Sequence, residues 1–159
     1  MGTTTQLTRT VNIRPEVSVL SVFPHLNYKP WFAMAEFVDN SVQSYLAYRL
    51  AIRAIDGKQS KLRVSIDIST LDNGRIVIRD NAGGINERDY ARAFKTAAVP
   101  SDRSGLSEFG VGMKSAACWF ARHWSVRTSA LSEDVERNIS FDVASIVRDG
   151  IEDIRLNRQ

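Results

Sequence analysis

The sequence predicts one domain of mixed helices and strands, α/β in the broad sense (α+β). Three observations predict it. Residues between Pro30 and Gly57 carry apolar side chains at helical spacing. Leu62, Val64, Ile66 and Ile68 alternate with Arg63, Ser65, Asp67 and Ser69, the period of a half-buried strand. A glycine-opened apolar segment at 109–120 is followed by two more strand-like runs. At 159 residues the chain is long enough to bury a core.

The elements follow in order. Residues 1–9 are polar and threonine-rich and are expected to form a flexible arm, with the domain spanning 10–159. Thr10 to Ile13 suits a short strand. Pro15 suits a helix start, with Val17, Val19, Leu20 and Phe23 on its apolar face and Pro24 ending it. Pro30 heads the main helix, where a missing N–H is harmless. Met34, Val38, Val42 and Tyr45 follow helical spacing, Leu46 and Leu50 widen the face, and Gly57 stops it. Asp72-Asn73-Gly74 reads as a hairpin turn between the alternating strand and Ile76-Val77-Ile78. Glu87 to Lys95 reads as a short helix and Thr96 to Glu108 as a polar loop. Strands are expected at His123–Thr128 and Arg137–Val143, joined through Ser132-Glu133-Asp134. The tail from Arg148 is charged and weakly patterned.

Composition narrows the function. Hydrophobic content of 43% and charged content of 25% are those of an ordinary globular chain. A formal charge of +3, with basic and acidic residues interspersed, gives little electrostatic case for nucleic acid. Cys118 is the only cysteine, so no internal disulfide can form, and its apolar surroundings mark it as a core residue. No run is long and apolar enough to span a membrane, and the first residues lack a signal-peptide hydrophobic region, so a cytoplasmic location is expected. His25 and His123 are the only histidines, which disfavours zinc or histidine-based hydrolysis.

Three segments carry candidate chemistry. In Ala35-Glu36-Phe37-Val38-Asp39-Asn40-Ser41, Glu36 and Asn40 fall one helical turn apart on one face. An acid among Phe32, Ala33 and Phe37 loses water, which raises its pKa and suits a general base. A neutral amide oxygen at Asn40 suits Mg2+ when phosphates supply the negative charge. Asp80 follows a strand and precedes Gly83 and Gly84, so its carboxylate can accept from an exocyclic amine such as adenine N6. The third segment runs from Gly105 to Ser115. Gly110 and Gly112 let the chain turn into a helix whose first N–H groups face an anion, with Lys114 adding a positive charge. The spacing is neither that of a Walker loop nor that of a Rossmann turn. Each segment alone has a plainer reading: a core-edge acid, a turn after a strand, and a glycine-opened core helix.

Taken together, E-x-x-D-N, D-N-A-G-G-I and F-G-V-G-M-K-S-A resemble the GHKL ATPase superfamily over roughly residues 10 to 143. That superfamily includes gyrase-type topoisomerases, the ninety-kilodalton heat-shock chaperone, sensor histidine kinases, MutL proteins and microrchidia ATPases. Residues 107–112 look most like the chaperone and microrchidia versions, and Lys114-Ser115 and the stretch from Tyr28 to Asn40 look like the microrchidia version. The resemblance implies a two-layer α/β sandwich of the Bergerat type, a mixed sheet covered on one face by helices. It implies Glu36 as the base that orients water and Asn40 as the Mg2+ ligand. The implied nucleotide-binding set is Asn40, Asp80, Ala82, Gly84, Ile85, Lys95, Gly110, Val111, Gly112, Met113, Lys114 and Ser115, with residues 97–109 as an ATP lid. Asp80 would accept from adenine, and Gly110, Gly112 and Lys114 would hold the phosphates.

The pattern also departs from the family. Ala82 replaces the first glycine of the usual D-x-G-x-G, so negative φ is expected there. Gln43 stands where several relatives carry an acid. The late G-T strand segment is not evident, Arg127-Thr128-Ser129 being a poor substitute, so truncation before the last strand is expected. The resemblance thus implies an ATP-binding, Mg2+-dependent ATPase, slow or inactive in isolation. Its nucleotide state would drive lid closure and homodimerisation, with DNA or a protein client engaged through other domains and no membrane partner. Two other readings stand beside it: the ATP-binding domain of a sensor-type histidine kinase, and a nucleotide-gated interaction module without significant turnover.

Overall fold

The structure is a computed structural model, and it describes residues 17–71, 73–95, 111–131 and 133–158. The expected arm at 1–9, the strand at Thr10–Ile13, the lid at 97–109 and Gly110 lie outside the described residues.

Two 3₁₀ segments, Val17–Ser21 and Phe23–His25, open the described chain where one α-helix was expected. Helix α1 (Pro30–Asp56) is the longest element. It starts where predicted, with Pro30 in its first turn and Lys29 extended before it. It ends where Gly57 takes φ of +93°, a conformation that favours glycine. Strands β1 (Val64–Ser69) and β2 (Arg75–Asp80) form a hairpin, with Ile66 opposite Ile78 and Ile68 opposite Ile76. At the turn, Asn73 and Gly74 both have positive φ, which asparagine and glycine tolerate best. Helix α2 (Tyr90–Phe94) follows a single 3₁₀ turn. Beyond the undescribed segment come α3 (Gly112–Phe120), β3 (His123–Thr128), β4 (Arg137–Asp142), α4 (Val143–Asp149) and β5 (Asn157–Arg158).

The expected class, helices combined with strands, is the observed one. The pairing differs from a single mixed sheet. Among the described residues, β1–β2 and β3–β4–β5 are two separate sheets, all antiparallel. The reason is local: β1–β2 and β3–β4 each pair consecutive strands with no helix between them, so the chain doubles back and the strands run antiparallel. The sheets meet just past their strand ends. Leu131 N–H donates to Gly83 O at 3.1 Å, and Ile85 N–H donates to Thr128 Oγ1 at 2.8 Å. Gly84 sits at this seam with φ of +69°, so close to the Ser129 carbonyl that a Cβ would overlap it.

The main core lies between the 3₁₀ segments, α3, β4 and α4. Leu20, Phe23, Cys118, Ile139, Phe141, Val143 and Ile146 are all buried there. Trp124 stacks on Phe141 with ring centroids 3.8 Å apart. Side chains alternate along the expected strands β3 and β4: Trp124, Val126 and Thr128 face the same side as Phe141, Ile139 and Arg137. On β1 and β2 the alternation sets the face without burying it. Ile66 and Ile68 remain 40% and 67% exposed, because a two-stranded sheet is a narrow platform.

Helix α1 packs against α3. Ala33 and Ala116 are completely buried, and such small side chains allow close helix approach. The buried positions of α1 are Ala33, Ser41, Tyr45 and Ile52. Leu46 and Leu50, expected on the inner face, lie opposite it and are exposed. Helix α4 was not expected. Its start is capped by Asp142, whose carboxylate accepts from Ser145 N–H at 3.1 Å, and Gly150 follows its end in the left-handed conformation.

Candidate functional site

The packing of α1 on α3 brings two of the three sequence segments into direct contact. Glu36 is half-buried on α1, and its carboxylate lies against Gly112, the first residue of α3. A Cβ at Gly112 would land on the Glu36 carboxylate, so this close approach requires glycine. Burial raises the Glu36 pKa above the usual glutamate value, and the charge of Asp39 adds to the rise. The first turn of α3 has backbone N–H groups without intrahelical acceptors, and the helix dipole makes this end positive. The first intrahelical bond of α3 runs from Ser115 N–H to Val111 O at 2.9 Å. Val111, Gly112 and Met113 are all half-buried here.

Asn40 lies one turn beyond Glu36, and its Nδ2 donates to Glu36 O at 2.7 Å. This bond fixes the amide plane. Next to it, Ser41 joins the second segment to the first. Its buried hydroxyl is 2.9 Å from Asp80 Oδ2 and 3.0 Å from Phe37 O. The other oxygen of Asp80 accepts from Ala82 N–H at 2.9 Å. A carboxylate has about four acceptor positions, so two bonds leave capacity for a ligand amine. Asp80 itself is exposed. Among the described residues Asn73 is the only non-glycine with positive φ, so Ala82 keeps the negative φ expected of it.

Helix α1 holds the glycine turn in two further places. Gly83 N–H donates to Ser44 Oγ at 3.1 Å, and a Cβ at Gly83 would overlap the ring of Tyr48. Tyr48 OH accepts from Asn86 Nδ2 at 2.8 Å. On the far side, Thr128 holds Ile85 through the bond already described. Ser41, Ser44, Tyr48 and Thr128 were not singled out from the sequence. The signal available for the first three was their spacing, which puts hydroxyls on the buried side of an apolar helix. Thr128 belongs to the stretch dismissed as a poor substitute for the G-T segment, yet it reaches the glycine turn.

The remaining predicted residues are placed differently. Lys114 is 2% exposed, and its Nζ donates to Arg92 O and Ala93 O at 3.0 and 3.1 Å. Burial lowers its pKa to about 8, and the charge of Arg92 contributes. Ser115 is buried, with its hydroxyl 3.1 Å from Tyr28 OH and donating to Gly112 O at 3.0 Å. It braces the start of α3 from inside. Lys95 is exposed and caps α2 through its own N–H to Ala91 O. Gly110 is outside the described residues.

The arrangement is a polar seam along α1. One carboxylate with reduced hydration faces a helix amino terminus, and another with spare acceptor capacity lies beside a glycine turn. That combination fits a ligand with an anionic end and an amine-bearing end. No helix among the described residues is long and apolar enough to cross a membrane. No curated protein matches the chain. The family described as histidine kinase-, DNA gyrase B- and HSP90-like ATPase matches residues 28–157, which include all the elements that build this seam. The chain belongs to that ATPase family, the GHKL superfamily, whose domain binds ATP.

Proposed function

We propose that this chain binds ATP with Mg2+ and hydrolyses it, and that nucleotide state drives lid closure and homodimerisation as in the chaperone and microrchidia branch. The observation that carries the hydrolytic reading is the Glu36 carboxylate seated against Gly112 at the start of α3. A base works on water best when its pKa approaches the working pH, and burial moves Glu36 in that direction. The N–H groups of Gly112, Met113 and Lys114 would face the charge that spreads over the phosphate oxygens during transfer. Val111 leads into that turn from the undescribed Gly110. Asp80 would accept from the adenine amine, with Ala82, Gly84 and Ile85 forming the turn beside the base, and Lys95 would lie at the rim. Asn40 offers a neutral oxygen that fits Mg2+, and the ion supplies charge neutralisation on the phosphates when bound. Clients such as DNA or protein, and a cytoplasmic location, remain part of the proposal.

Glu36→Gln tests it. The variant keeps the shape of the side chain and removes the base. ATP binding should persist while phosphate release falls by about a hundredfold or more, the usual scale of a lost general base. Unchanged phosphate release would contradict the role given to Glu36. Transfer of labelled phosphate onto protein would instead favour the kinase reading.

A further inference from the structure

Lys114 occupies a place that its position after two glycines does not suggest. It is the third residue of α3 and one of the most fully buried side chains among the described residues. Its ammonium meets the carbonyls of Arg92 and Ala93 in the last turn of α2. A helix leaves its last carbonyls without intrahelical partners, and its dipole favours a cation there. Lys95 N–H bonds to Ala91 O, one carbonyl earlier, so it does not satisfy these two. The lysine of one helix therefore caps the carboxyl end of another.

The direction of the side chain matters as much as its partners. Gly112 and Lys114 are two residues apart, roughly 200° around the helix axis. Gly112 faces Glu36 of α1, so Lys114 leaves α3 on the other side, toward α2. The amino terminus of α3 is thus held between α1 and α2. The charged neighbour that bears on Lys114 is Arg92, whose guanidinium disfavours the ammonium alongside burial. A neutral amine still has two N–H donors for the two carbonyls, so the cap survives loss of the proton.

We propose that Lys114 is a positioning residue of the nucleotide site: by capping α2 it fixes the amino terminus of α3 against Glu36, and its ammonium does not itself contact phosphate. This rests on the reading of the site as an ATP site, and one arm of the test needs no nucleotide. In the free protein, Lys114→Met should speed amide exchange at the end of α2, above all at Lys95, by about tenfold. Amides in β3 and β4 should keep their rates. ATP affinity of the same variant should fall by about tenfold, the scale of one lost hydrogen-bonded contact. Unchanged exchange at α2 in a folded variant would overturn the proposal.

The unaltered protein supplies the second arm. The Lys114 amine, titrated by nitrogen NMR with and without ATP, should show the same midpoint in both. Linkage makes the alternative measurable. A direct phosphate contact would raise the midpoint on ATP binding by about one pH unit or more, and ATP affinity would fall by about fivefold to tenfold as pH rises from 7 to 9. Either result would overturn the proposal. Absence of ATP binding would sink the proposed function, and with it the claim that the cap serves a nucleotide site. The exchange arm would still decide whether the cap exists.

Discussion

Ser41 carries more of the site than its neighbours in sequence suggest. Its hydroxyl is buried and lies between the α1 backbone and Asp80. Ser41→Ala should destabilise the fold by about 1 kcal/mol and weaken ATP binding, because Asp80 loses a donor that orients it. Denaturant unfolding and ATP titration of the variant check both, and wild-type affinity would remove Ser41 from the site. Glu36 supports a pH prediction. A base must be deprotonated, so hydrolysis should rise with pH through the Glu36 pKa, and that limb should lie above the usual glutamate range. A rate profile with its acid limb at or below the ordinary value would contradict the burial argument. Glu36 and Asn40 were legible in the sequence because one helical turn relates them. Ser41 was not, because its partner is 39 residues away on a strand.

The elements show which sequence signals decide a structure and which leave it open. Pro30, Gly57 and the Asn73-Gly74 turn act on their own backbone, so they marked their boundaries correctly. The inner face of α1 was open, because apolar side chains occur on both sides of that helix. Leu46 and Leu50 fit helical spacing as well as Ala33 and Ile52 do, and only the packing against α3 separates them. The start of α4 was readable in Asp142 and Ser145, but the strand pattern running into Val143 hid it. Asp142 is held below the usual aspartate range, first by the Ser145 N–H, then by the Ser145 hydroxyl, and also by His123. Its folded pKa is lowered, so its contribution to stability is present above the unfolded pKa and is lost as pH falls through the folded one. Asp142→Ala should therefore lower the melting temperature at neutral pH and flatten its fall in acid. A parallel fall in variant and wild type would assign the acid sensitivity elsewhere. Gly84→Ala should destabilise by more than about 1 kcal/mol, because alanine is strained at φ of +69° and its Cβ meets the Ser129 carbonyl. A neutral effect in thermal unfolding would mean that the seam yields readily.

At the scale of the whole molecule, the site is assembled because one helix touches a second helix, the end of the β1–β2 hairpin and the glycine turn that follows it. Helix α1 presents Glu36 to α3, Ser41 to the end of β2, and Ser44 and Tyr48 to the glycine turn. That turn in turn joins the β1–β2 hairpin to the β3–β4–β5 sheet. The three motifs were readable as separate stretches, and their order suggested a shared site. What brings them together is spread over single side chains such as Ala33, Ser41 and Thr128, whose partners lie far away along the chain. The Lys114 position shows the same limit: a lysine after glycines suggests phosphate, and only the neighbouring helix shows where it points. The central claim is that Asp80 and the α3 amino terminus serve one nucleotide. Calorimetric titration of the wild type and Asp80→Ala with ATP and with GTP, in the presence of Mg2+, tests it most directly. The account predicts a preference for ATP in the wild type that disappears in Asp80→Ala. Equal ATP and GTP binding by the wild type, or an ATP preference that survives in Asp80→Ala, would contradict it.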